Sequence, residues 1–316
     1  MHSNIEYFKS TYTPLCFGGA SISGEGAGYG FGDITESDAI SLLHYAYDRG
    51  VKIFDTAPIY GFRESEKRIG KAFKDKRENI CLISKCGVSW HDNMRVNMTN
   101  DPKTTRKMLE QSLKDLQSDY IDLYMVHWPD ENVDIRHTVE VLAKAKIEGK
   151  IKHIGLCNTN EDEFLKASEV DKIECLQSQF NYFERAEIDN GLKLAHENNI
   201  PFMSWGTFEK GILTGRVTKD RTFAKSDCRS WAPWWVKSNK DEKMEKFKFI
   251  KKVLDSHGIG PENFAIQFNL RTKGLSHILC GARNHEQIDS CLKATTSEIS
   301  DQVFMNILEV LNEPNS

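Results

Sequence analysis

The chain has 316 residues, 39% hydrophobic and 28% charged, with a formal net charge of -4. That balance excludes a disordered chain, and the slight excess of acid gives no electrostatic footprint for nucleic acid. The opening MHSNIEYFKS has no apolar core, and no stretch approaches the roughly 20 apolar residues of a membrane span, so a cytoplasmic protein is expected.

The first predicted strand is PLCFGGA, from Pro14. It leads into SGEGAGYGFGD, Ser23 to Asp33, which is rich in glycine but holds no G-x-G-x-x-G and lacks a βαβ setting. This stretch reads as a rim loop, either over a substrate mouth or simply solvated. A helix from Thr35 to Asp48 follows behind a Thr-x-x-Asp start. The second strand, KIFDTA from Lys52, ends in Asp55, and Pro58 and Gly61 bracket Tyr60 in its loop. The third, ICLISKCG from Ile80, ends in Lys85, and a helix runs from Pro102 to Leu116 behind Asp101. The fourth, IDLYMVH from Ile121, ends in His127; a helix from Ile135 to Glu148 is closed by Gly149. The fifth, IKHIGLCN from Ile151, ends in Cys157-Asn158, and the sixth, IECLQSQF from Ile173, carries Gln177. A helix from Glu187 to Glu197 precedes the seventh strand, PFMSWG from Pro201, which ends in Trp205; the eighth is SHILCGA from Ser276.

The interval between the seventh and eighth strands is long. It holds DCRSWAPWWVKS, a lysine-rich segment from Lys243 to Lys252 with Met244, Phe247 and Ile250 on one helical face, and a helix from Pro261 to Lys273. An insertion of this length reads as an active-site lid. Its tryptophans, Trp231, Trp234 and Trp235, either stack on a ligand or pin the loop to the core.

Eight strands alternating with helices, with no composition break, predict a single (β/α)8 barrel over residues 1–316 rather than a doubly wound sheet. In such a barrel the polar residues ending the strands converge on one mouth. The eight cysteines form no CxxC pair and read as reduced, mostly buried thiols, and no metal site is expected. A lysine at the end of a buried strand needs a counter-ion, and Asp55 on the neighbouring strand supplies one for Lys85. An ammonium beside Tyr60 favours the phenolate and lowers the phenol's proton affinity, while His127 can hydrogen-bond the same oxygen or a substrate. The set can donate a proton near neutral pH.

FDTAPIYG, LISKCG, YMVHWPD, IKHIGLCN and CGARNHEQ, in that order, resemble the motifs of the aldo-keto reductases. The resemblance implies an NADPH-dependent reduction of an aldehyde or ketone, with Asp55, Tyr60, Lys85 and His127 as the catalytic tetrad and Tyr60 as the acid. It implies Asn158, Gln177 and Trp205 on the nicotinamide side. EKGILTGR, Glu209 to Arg216, resembles a diphosphate loop in which the N–H groups of Gly211, Leu213 and Gly215 approach the phosphates. Arg283, at a helix N-terminus, is implied for the 2′-phosphate of NADP and Gln287 for the adenine. Three positions depart from the family pattern: Cys157 before the asparagine, Trp205-Gly206-Thr207, and Cys291 near the adenine. The implied partner is a small-molecule carbonyl substrate, with neither nucleic acid nor membrane. Two alternatives remain open on the sequence: a cofactor-binding regulatory subunit resembling the potassium-channel β-subunits, and a Schiff-base barrel with Lys85 as nucleophile.

Overall fold

In the computed structural model, which describes residues 5–24, 29–93 and 95–312, ten strands form. They are β1 Leu15–Gly18, β2 Ile53–Asp55, β3 Cys81–Cys86, β4 Val88–Trp90, β5 Val96–Met98, β6 Ile121–Val126, β7 Ile151–Cys157, β8 Cys175–Gln179, β9 Phe202–Trp205 and β10 Leu275–Cys280. Eight of them close a parallel barrel in the order β1-β10-β9-β8-β7-β6-β3-β2, and β4 and β5 make an antiparallel hairpin above it. The expected (β/α)8 barrel is the fold. Residues 25–28 of the glycine-rich stretch lie outside the described residues.

Side chains alternate across a strand, so every second residue faces the lumen. The lumen set includes Cys16, Ile53, Cys81, Ile83, Leu123, Met125, Cys157, Cys175 and Met203. The same parity that puts Cys81 and Ile83 inside puts Lys85 inside, and it carries Cys157 to a position paired with Gln177. Gly155 is lumenal as well: a Cβ there would lie 2.6 Å from the Met125 methyl and 3.0 Å from the Cys175 carbonyl oxygen, so only glycine lets these layers close. At the N-terminal end of the strands, Ile5 and Phe8 of a short 3-10 turn seal the lumen, with Phe8 against His277 at 4.2 Å.

The helices are α1 Glu36–Asp48, α2 Glu64–Phe73, α3 Pro102–Asp115, α4 Ile135–Ile147, α5 Glu161–Ser168, α6 Gly191–Glu197, α7 Pro233–Val236, α8 Lys240–Ser256, α9 Pro261–Arg271, α10 His285–Thr295 and α11 Asp301–Asn312. The expected caps form: Thr35 accepts from the Asp38 amide at 3.1 Å and Asp101 from the Thr104 amide at 3.0 Å. Between β9 and β10 lie two 3-10 turns, α7, α8 and α9. The lysine-rich helix extends beyond the expected span and buries Met244, Phe247, Ile250 and Leu254 against the core. All eight cysteines are buried and unpaired. Among the described residues no helix is long and apolar enough to cross a membrane.

Candidate active site

Asp55 and Lys85 end adjacent strands and are almost wholly shielded from solvent, at 1% and 0% exposure. The Lys85 ammonium donates to both Asp55 oxygens, at 2.6 and 2.7 Å, and to the Thr56 carbonyl at 3.0 Å. Burial alone would depress the ammonium's proton affinity, but Asp55 more than offsets it and holds Lys85 well above its usual value. Paired in this way, Lys85 is held as the ammonium at neutral pH.

Tyr60 is half-buried, with the Lys85 nitrogen 5.5 Å from its ring centre and the His127 ring edge-on at 5.8 Å and 89°. Burial dominates its acidity: although the Lys85 ammonium pulls the other way, the phenol is pushed up to about 12. The lysine acts in the expected direction, but desolvation outweighs it, so the resting tyrosine holds its proton firmly. Burial, and secondly the Lys85 charge, hold the His127 imidazole well below its usual value and keep it neutral at pH 7.

Asn158 has a left-handed backbone, φ 54°, just past β7. Its amide donates to the His127 carbonyl at 2.9 Å and accepts from the Trp205 indole at 3.0 Å, tying three strand ends together. Gln177 points inward: it donates to Asp55 at 3.0 Å, and its oxygen faces the Cys157 thiol at 3.6 Å. Cys157, pushed up by burial, stays a thiol.

In the loop after β9, Glu209, Lys210 and Gly211 are three successive left-handed residues. The N–H groups of Gly211 and Leu213 donate to the Phe208 carbonyl, and that of Gly215 donates to the Ile212 carbonyl. Those three amides are thus spent within the loop, and Leu213 is fully buried. At the far end, the Arg283 guanidinium donates to the carbonyls of Phe31 at 2.7 Å, Gly32 at 3.0 Å and Asp33. Gln287 accepts from the Arg283 amide at 2.8 Å, while Asn284 caps α10. The segment that Arg283 grips is zipped to the long β9–β10 connection: Phe31 bridges Asp227, and the Cys228 amide donates to the Gly30 carbonyl at 2.9 Å. Of the three tryptophans, Trp235 is buried against Phe223, whereas Trp231 and Trp234 are exposed and flank Tyr29.

The family model for the aldo/keto reductase family matches residues 14–312. The chain belongs to the aldo/keto reductase family. It is 32% identical over 283 residues to aldo-keto reductase YhdN of Bacillus subtilis, covering 88% of this chain and 85% of the relative. It is 29% identical over 283 residues to the NADH-specific methylglyoxal reductase of Escherichia coli, covering 85% and 86% respectively. Among solved structures it is similar to the glycerol dehydrogenase AKR11B4 of Gluconobacter oxydans, with a TM-score of 0.83 and 27% identity over 99% of this chain and 97% of the other.

This aldo-keto reductase is therefore an oxidoreductase, in a family that acts on small-molecule carbonyl substrates and uses nicotinamide cofactors. Several residues around Tyr60 escaped the sequence reading. Phe62 and Trp90 touch at 4.9 Å, and with Tyr29 and Val96 they pack on the apolar cluster that also holds Tyr60. Glu66 on α2 is wholly buried behind Lys85's strand, accepting from Ser84 at 2.6 Å. The signal for Glu66 is present in ESEKRIGKAF, where positions 66, 69, 70 and 73 share one helical face.

Proposed function

We propose that this chain reduces aldehydes or ketones with NADPH, with Tyr60 protonating the carbonyl oxygen. The observation that carries the reading is the buried Lys85–Asp55 ion pair beside a protonated Tyr60 and a neutral His127 at one end of the barrel. Bound NADPH supplies the hydride. As charge grows on the carbonyl oxygen, Tyr60 gives up its proton, and the fixed Lys85 ammonium stabilises the phenolate left behind. Asp55 keeps Lys85 charged and in place, and neutral His127 orients the carbonyl oxygen. Groups this dry make each charge count for more than it would in water.

The residues present fit the cofactor in chemistry. Asn158 and Gln177 carry amides that complement a carboxamide, and Trp205 offers a ring face. Lys210 and the small residues Gly211 and Gly215 suit a diphosphate, with Arg283 for the 2′-phosphate and Gln287 for the adenine. In this reading Gln177 is shared between Asp55 and the nicotinamide. Leu213 acts through the shape of its loop, because its own amide is already engaged. Arg283 favours NADPH over NADH, and the tryptophan-bearing connection closes over the bound cofactor. Eight buried, unpaired cysteines favour a reducing compartment such as the cytoplasm.

Tyr60→Phe tests the reading. It should keep the fold and NADPH binding while losing carbonyl reduction by a factor on the order of 100 or more, the scale for removing a positioned acid. Near wild-type turnover of an aldehyde by that variant would move the proton donor elsewhere.

A further inference from the structure

We infer that Glu209 is a positioning residue for the cofactor: its carboxylate sets the left-handed turn of Glu209, Lys210 and Gly211, and so holds the diphosphate loop in its binding shape before the cofactor arrives. The inference rests on the cofactor reading above and deepens it with a residue that acts through Lys210 and the loop's backbone.

The turn needs such a hold. Glu209 and Lys210 have φ of 43° and 55°, and a residue with a Cβ keeps that conformation only where its neighbours fix it. Glu209 is only 3% exposed, and its two oxygens have separate partners. Oε2 accepts from the side-chain amides of Gln179 at 2.9 Å and Asn181 at 2.8 Å, at and just past the end of β8. Oε1 accepts from the ammonium groups of Lys210 at 3.0 Å and of Lys243 on α8 at 2.8 Å, and Lys243 is shared with Glu184. The backbone completes the arrangement. The Glu209 amide and the Asn181 side chain both donate to the Gly206 carbonyl, at 2.8 and 2.9 Å, and the Arg229 guanidinium donates to the Lys210 carbonyl at 2.8 Å.

By charge alone, an acid beside an anion-binding loop repels the ligand. Here that charge is paired: burial would raise the carboxyl, but Lys210 and Lys243 more than offset it and hold it below its usual value, so Glu209 is an anion at neutral pH. It orients the Lys210 ammonium and fixes the start of the segment whose glycines follow at 211 and 215. The two roles predict opposite signs. If Glu209 only repelled phosphate, removing its charge would tighten cofactor binding; if it positions the loop, the same change weakens it.

Glu209→Gln keeps the side chain's shape and its acceptor for Gln179 and Asn181 but turns amide N–H groups toward Lys210 and Lys243. In a fluorescence titration its Kd for NADPH should rise about 10-fold, because only the fraction of loops still in the turn binds. In propanal reduction the loss should appear in the KM for NADPH, with kcat within about twofold of wild type. Lys243→Met unties α8 from Glu209 and leaves the other three partners in place; its melting temperature should fall while its Kd stays within about threefold of wild type. An unchanged or tighter Kd in Glu209→Gln, a loss confined to kcat, or an equal rise in Lys243→Met would overturn the inference. Should Glu209→Gln fail to fold, Gln179→Ala removes one donor from the same carboxylate and should still weaken NADPH binding; an unchanged Kd there overturns it. If wild type binds no NADPH, the cofactor reading fails on its own, and calorimetry with inorganic pyrophosphate decides the loop. Pyrophosphate binding that weakens in Glu209→Gln supports the inference, and equal or absent binding overturns it.

Discussion

Lys85→Met would remove the ammonium while keeping most of the side chain's volume. What remains is the Asp55 carboxylate, 1% exposed, with a Gln177 amide at 3.0 Å in place of the bidentate partner it has lost. Removing one member of a buried ion pair costs about 3–5 kcal/mol, because the other charge is stranded. For a chain of this size that is a fall in melting temperature of roughly 5–10 °C. Carbonyl reduction should drop by a factor on the order of 100 or more, since the phenolate loses its stabilising charge. The double variant Asp55→Asn/Lys85→Met separates the two effects: with no charge left to strand, most of the stability should return while activity stays lost. Thermal melts and an NADPH-consumption assay on the same samples read both quantities. A single variant that melts with wild type would show that the pair does not sustain the barrel, and a double variant that regains turnover would show that the ammonium is dispensable.

Arg283→Ala should weaken NADPH binding roughly 10- to 100-fold and spare NADH, because a charge-assisted contact is worth about 1.5–3 kcal/mol; fluorescence titration with both cofactors checks it. Glu66 gives a pH prediction. Burial, opposed chiefly by the hydrogen bond from Ser84, raises its carboxyl from 4.5 to about 7. A folded-state value above the unfolded one contributes stability that is fully present below about pH 4 and lost as pH rises through 7. Glu66→Gln should therefore match wild type near pH 4 and exceed it at pH 8 by about 3 kcal/mol, read from denaturant melts at the two pH values.

All eight barrel strands were legible because each is a short apolar run that stops at a polar rim residue or a glycine. α2 was not, since Arg63 stands at its N-cap with φ 82° and gives no capping hydrogen bond, so the usual start signal is missing. The hairpin escaped for another reason: Val88–Trp90 and Val96–Met98 are three residues each, too short for alternation to register against the polar turn between them. At the site, residue types and strand ends were enough to bring Asp55, Lys85, Tyr60 and His127 together. The balance on Tyr60 was not readable, because desolvation depends on packing from Phe62 and the hairpin, which are distant in sequence or hidden in an irregular turn. Nor was the grip of Arg283 on Phe31, Gly32 and Asp33, since backbone carbonyls leave no trace in residue identity.

The barrel is completed by the pairing of Leu15 with Ile278 and of Phe17 with Cys280, between the first strand and the last. β10 fills the gap between β1 and β9, so the edges of both stay unpaired in any form of the chain that lacks it. Until that seam joins, the lumen is open at one side, and Lys85 and Asp55 can keep their hydration. Complete burial of the two charges therefore requires the closed ring, so the shielding of Lys85 and Asp55 depends on a pairing between strands at opposite ends of the sequence.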